Sequence, residues 1–185
     1  GATIGTWSHV PLPSERQEHC AAWQVCRRTV PLAYRPELPT LDDIEAERRR
    51  LMAIEKEARA AGNAESARDT RALVERKTRL STRLRSLPPG DSFPYALTAW
   101  RMGDAVWLAF QGEPYNVLQR ALRERFPETP LVIAAMANGW GPSYLPPRDL
   151  YGKGIYQESI AVLAPGCLEL LTETLRDRIQ KLLHP

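Results

Sequence analysis

Between Ala105 and Gly139 the chain switches twice between two kinds of apolar pattern. "AVWLAF" (105–110) and "PLVIAAMANG" (130–139) are runs with little polar interruption. Between them, "EPYNVLQRALRERF" (113–126) returns Val117, Leu118, Ala121, Leu122 and Phe126 to one face at helical spacing. Pro114 suits a first-turn position, and Pro127 closes the helix. The stretch therefore predicts strand, helix, strand, a βαβ unit with parallel strands, the second of them covered on both faces. Just upstream, "FPYALTAW" and "AVWLAF" flank Met102, Gly103 and Asp104, whose glycine–aspartate pair is turn chemistry for a β-hairpin. Downstream, "APGCLELLTETLRDRIQKLL" places Leu168, Leu171, Leu175, Ile179 and Leu182 on one face of an amphipathic scaffold helix.

The preceding residues read differently. From 40 to 87 the pattern is charged with a thin apolar line, and it breaks once, at "AAGNAES". Thr40 is a natural N-cap with Asp42 and Asp43 in the first turn, Gly62 and Asn63 end the first helix, and Asn63 or Ser66 caps the second. Leu41, Ile44, Leu51, Ile54 and Ala58 form one stripe, and Leu73, Leu80, Leu84 and Leu87 the other. The expectation is an antiparallel helical hairpin, read either as a solvated structural arm or as a partner-binding or lid element. Residues 1–39 form a proline-rich lead-in with one strand, "VCRRTVPLAY", as an edge or connector. The fold class expected is α/β: a mixed sheet with a β-hairpin and a βαβ unit, flanking helices and the inserted hairpin, the α/β portion spanning 93–185.

Composition narrows this picture. With 185 residues, 43% hydrophobic and 25% charged, the chain suffices for one core or two small ones. Its net charge of +3 comes from basic and acidic residues mixed in the same helices, which argues against a nucleic-acid partner. No apolar run reaches the roughly 20 residues of a membrane span. Three cysteines cannot all pair; Cys20 and Cys26 are spaced to bridge or to serve as small buried thiols. The start at Gly1, without methionine, fits a processed product or a piece of something longer.

Topology brings candidate chemistry together. In a parallel βαβ unit the residue after the first strand and the loop after the second emerge at one sheet edge, where open α/β sheets hold ligands. Glu113 and the loop opening at Asn138, with Trp140, Tyr144, Tyr151 and Tyr156, therefore converge on an aromatic-walled cleft with a carboxylate at its floor. A glycosidase-like pair would need Asp149 or Glu158 to face Glu113. A catalytic Ser/His/Asp set is not supported, since His9, His19 and His184 lie in the lead-in or at the chain end and no G-x-S-x-G elbow exists. Nor does the chain hold an H-x-x-x-H or C-x-x-C pair for a zinc site of its own. On pattern alone, Glu113 reads equally as a capping acid beside Pro114, and Tyr144 as an aromatic anchored on the core.

The stretch from "GEPYNVLQRALRERFPETPLVIAAMANGWGPSYLPPRDLYGKGIYQESIAVLAPGCLELL" resembles the later half of the catalytic domain of the neutral/alkaline, non-lysosomal ceramidase family, over about residues 95–180. The matching features are Gly112-Glu113 at a strand end, Asn138-Gly139 after the next strand, Tyr144 in the loop and Tyr156 before the last helix. The resemblance implies a zinc-dependent amidohydrolase that cleaves the N-acyl linkage of a lipid-like substrate with metal-activated water. It implies Glu113 and Tyr144 as zinc ligands beside two histidines from an absent N-terminal half, and a secreted or periplasmic parent. Asn138, Trp140, Tyr151 and Tyr156 become substrate or loop candidates, with Trp140 and Tyr151 along the acyl path or in packing roles. Gln111 replaces a common proline, the loop to Tyr144 is one residue longer, and Tyr156-Gln157 stands for a tyrosine–glutamate pair; the helical hairpin over 40–87 reads as an insertion or elaboration, which points towards a relative acting on another amide or ester. The isolated chain is expected to be inactive; the alternative is a non-catalytic domain that kept the scaffold and binds a partner.

Overall fold

The computed structural model describes residues 23–137, 139 and 141–184. Strand β1 (Trp23–Ala33) is followed by helices α1 (Leu41–Ala60) and α2 (Ala64–Arg85), then strands β2 (Ser92–Met102) and β3 (Ala105–Phe110). A two-residue strand β4 (Glu113–Pro114), helix α3 (Val117–Arg125) and strand β5 (Leu131–Ala134) come next. The chain ends with a second two-residue strand β6 (Tyr144–Leu145), a 3-10 turn (Arg148–Leu150), and helices α4 (Tyr156–Ile160) and α5 (Cys167–Leu183).

The main sheet has the order β1-β2-β3-β5. β2 and β3 form the expected antiparallel hairpin around Gly103, and β3 pairs with β5 in parallel, Val106 opposite Leu131 and Ala109 opposite Ala134. Period-two burial decides the faces: Phe93, Tyr95, Leu97 and Ala99 of β2 and Val106, Leu108 and Phe110 of β3 all point to one side. There α3 and α5 cover them with Leu118, Leu122, Leu171, Leu175 and Ile179. This single layer of helices makes the core.

The other face is not covered among the described residues. Val25, Trp100, Trp107 and Val132 occupy one cross-strand row, with the two indoles stacked at 5.9 Å. Val25 is 57% and Val132 38% exposed. β5 is thus an edge strand with one open face, not a strand covered on both; its continuous apolar run misled because Ala134 and Ala135 need no burial.

Thr40 caps α1 through a capping box with Asp43, and Asn63 caps α2 by accepting from the Ser66 amide at 3.0 Å. The hairpin closes on its own small core, although the stripes differ from those expected. Ile44, Leu51 and Glu55 of α1 are buried with Ala67, Thr70, Val74 and Ser81 of α2, while Leu41, Ile54 and Leu73 are exposed. Small residues on α2 let the helices approach closely, and Ser81 donates to Glu45 at 3.1 Å across the interface. Leu84 and Leu87 pack instead against the main core. α2 is therefore shared between its partner helix and the α/β body.

Two further expectations are corrected. Pro114 lies in β4, and α3 begins three residues later at Val117. Val117 is 43% exposed, so the buried face of α3 is Leu118, Leu122 and Phe126. The Cys20–Cys26 pairing and His9 and His19 fall outside the described residues.

Candidate functional site

The site is built on the parallel pairing of β4 with β6, in which Glu113 is the direct register partner of Tyr144 and Pro114 that of Leu145. The Glu113 amide donates to the Ser143 carbonyl at 2.8 Å, and the Tyr115 amide to Leu145 at 3.2 Å. The preceding turn is tied to the sheet, since the Met136 amide donates to Gly112 and that of Ala137 to Phe110, both at 3.0 Å. Glu113 is consequently neither an N-cap nor a first-turn acid of α3, whose N-cap is Asn116.

Close backbone approach explains the glycine before the acid. Gly112 has φ +68°, and a Cβ there would sit 2.7 Å from the Ser143 carbonyl oxygen. Ser143 and Met136 themselves adopt positive φ, 67° and 56°, so sparsely populated backbone clusters around Glu113. The Tyr95 hydroxyl donates to the Gln111 carbonyl from beneath, which pins the strand end just before the acid.

The Tyr144 phenol is held above its ordinary range, first by the negative charge of Glu113, then by burial and by Tyr156, with a hydrogen bond to Glu113 contributing. The Tyr156 ring meets the Tyr144 ring edge-on at 6.3 Å. These groups line a cleft of about 440 Å³. Its opposite wall comes from the helical hairpin, a contribution the apolar pattern does not reveal: Arg76, Lys77, Arg79, Leu80 and Arg83 of α2 line it, with Ser143, Ser159 and Ile160 completing the lining. Burial lowers the Arg83 pKa, while Tyr156 opposes and Arg79 reinforces that shift. Arg76, Arg79 and Arg83 at i, i+3 and i+7 share one helical face, the sequence signal that could have revealed this wall.

The other candidates separate. Tyr151 lies outside the cleft lining: its hydroxyl donates to the Leu163 carbonyl at 2.8 Å, and the Arg35 guanidinium stands 5.4 Å from its ring centroid. Burial pushes that phenol up to about 12. Glu158 accepts from the amides of Gly152 (2.8 Å) and Gly154 (2.9 Å), and the Gly152 bond above all holds its carboxyl below the usual range. Asp149 is exposed and 3.9 Å from Lys153. Glu113 is the one acid among the described lining residues, so no facing carboxylate pair forms. Asn138 and Trp140 lie outside the described residues.

Glu113 and Tyr144 bring two oxygen donors together, half of a tetrahedral shell. Among the described residues no group of three or more His, Cys, Asp or Glu side chains could hold a metal ion. The pair suits a cation nonetheless, because the adjacency that keeps the phenol protonated would give two anionic oxygens once a positive charge stood between them.

The chain matches no family model and no curated protein sequence. Two solved structures are similar to it. The first is a neutral ceramidase from Pseudomonas aeruginosa, at 13% identity and a TM-score of 0.42 over 85% of this chain and 29% of that one. The second is a ceramidase complexed with C2, at 18% identity and a TM-score of 0.36 over 44% of this chain and 14% of that one. The chain thus spans less than a third of either structure. Among the described residues no helix is long and apolar enough to cross a membrane.

Proposed function

We propose that this chain is part of a ceramidase-type, zinc-dependent hydrolase of N-acyl linkages, and that Glu113 and Tyr144 hold the metal. The observation that carries the reading is the register pairing of these two residues across β4 and β6. When bound, zinc supplies Lewis acidity that polarises a carbonyl and lowers the pKa of water towards about 7.

The chain's own residues set the stage for that chemistry. Glu113 contributes a hard anionic oxygen on a backbone fixed by the bond to Ser143, and Tyr144 a phenol held above its ordinary range by Glu113, whose proton a nearby positive charge would help to release. Tyr156, edge-on to Tyr144 and itself open to solvent, forms part of the cleft wall beside the pair. Two donors bind zinc weakly, and the resemblance to ceramidases implies two histidines of a longer polypeptide as the remaining ligands. The row of Val25, Trp100, Trp107 and Val132, uncovered among the described residues, is a surface that such additional protein would shield. A secreted or periplasmic compartment and a lipid-like substrate belong to the same proposal.

The test is zinc content and N-acyl hydrolysis of a polypeptide containing both this chain and the histidine-bearing half. Glu113→Gln and Tyr144→Phe should each lower zinc occupancy and hydrolysis together. Full retention of both properties by both variants sinks the reading.

A further inference from the structure

Along the helical hairpin most arginines are neutralised locally. Arg48, Arg50, Arg59, Arg68, Arg71 and Arg85 each reach an acidic side chain within 4.0 Å. The cleft-facing row departs from this pattern. Arg76, Lys77 and Arg83 make no ion pair among the described residues, and Arg79 has only a long ion pair, 3.9 Å, to Glu75, which it shares with Arg71. Four cationic side chains thus face one carboxylate, Glu113, across the cleft. Placing Arg79 and Arg83 one turn apart, the latter half-buried, is unfavourable for the free protein, since like charges repel and a guanidinium loses solvent. A bound anion would offset both costs.

A second groove, of about 380 Å³, adjoins the first and shares Arg79, Arg83 and Ser143 with it. Its other lining residues are Thr78, Thr82, Ser86 and Gly141. The hydroxyls of this wall are already engaged: Thr78 donates to Val74, Thr82 to Thr78 and Ser86 to Arg83, at 2.9, 3.0 and 2.7 Å. With those protons committed, the hydroxyls of Thr78, Thr82 and Ser86 can only accept, and most of the surface that lines the groove is carbon, which suits an apolar chain.

We propose that the α2 face is a binding site for an anionic amphiphile, with an oxyanion held by Arg79 and Arg83 and an apolar chain along the groove beside Thr78, Thr82 and Gly141. Applied to the hydrolase reading, on which this last step alone rests, it makes the substrate an amide whose amine portion bears a carboxylate or phosphate, an N-acyl amino acid in the simplest case. Arginine's planar fork suits either oxyanion through paired N–H donors.

Binding to the full 185-residue chain tests the site without metal or turnover. Calorimetric titration with N-lauroylglycine and with its uncharged methyl ester, both below their micellar concentrations, should show the acid binding about tenfold more tightly or better, the ratio that one charge-assisted contact supports. Arg79→Ala/Arg83→Ala should erase that ratio, and Arg79→Ala alone, at an exposed position, should reduce it if the double variant does not fold. Glu113→Gln should tighten binding of the acid by removing the one negative charge among the described lining residues. The same substitution should weaken zinc binding in the longer polypeptide, so the two proposals fail separately. Inorganic phosphate should bind more weakly than N-lauroylglycine; equal affinities would overturn the apolar half of the site. Equal binding of acid and ester, or a ratio that survives removal of the arginines, overturns the site altogether.

Discussion

Gly112 and Ser143 approach so closely that the α-carbon of one has no room for a side chain beside the carbonyl of the other, 2.7 Å from where a Cβ would stand. That contact sets Glu113 opposite Tyr144. Gly112→Ala combines a positive-φ penalty with a backbone clash, and should cost about 1–3 kcal/mol of stability. Thermal unfolding should show the loss, and Tyr144 should titrate closer to an ordinary tyrosine because it has drawn away from Glu113. An unchanged melting temperature and an unchanged tyrosine would mean that the pairing tolerates a methyl group.

Glu113→Gln keeps the shape of the site and removes its charge. The charge of Glu113 is the foremost cause of the raised Tyr144 phenol, so the substitution should move Tyr144 down towards the ordinary value of 10.0. Alkaline ultraviolet titration of the variant against the parent, with Tyr144→Phe to assign the signal, reads the shift directly. A phenol that stays raised would assign the effect to burial and Tyr156 instead.

Tyr151 anchors the loop from behind the cleft, and its hydrogen bond to Leu163 makes a structural prediction. Tyr151→Phe leaves that carbonyl without its partner and should cost about 1–2 kcal/mol in denaturant unfolding at neutral pH. The pH dependence follows from sign. The folded-state phenol is raised to about 12 against 10.0 in the unfolded chain, so its contribution is complete below pH 10.0 and is lost as pH rises towards about 12. The difference between parent and variant should therefore shrink over that window, and a constant difference would contradict it.

Two leucine truncations separate the two cores from the surface. Leu171→Ala, at a site with 0% exposure beneath the sheet, should cost about 2–5 kcal/mol. Leu73→Ala, at 43% exposure on α2, should stay within about 0.5 kcal/mol of the parent. A large effect at Leu73 would restore it to the hairpin interface and displace Val74 and Ala67 from that role.

Much of the architecture is legible in the amino-acid order, because it is written in short-range signals. The hairpin break at Gly62-Asn63, the Thr40 cap, the Gly103 turn and the burial of Leu168, Leu171, Leu175, Ile179 and Leu182 all depend on residues a few positions apart. The convergence of Glu113 with Tyr144 also followed, since parallel strands joined by a helix deliver their ends to one sheet edge.

Periodicity in the amino-acid order determined which segments are helix or strand and roughly where each stops, since caps, turns and apolar spacing act within a turn or two of the chain. Only the folded structure decided that β5 is an edge, that two-residue strands pair Glu113 with Tyr144, and that an arginine face of α2 closes the cleft. Those outcomes depend on which distant surfaces meet. A helix with usable side chains on several faces carries no local instruction about which one its neighbours will cover.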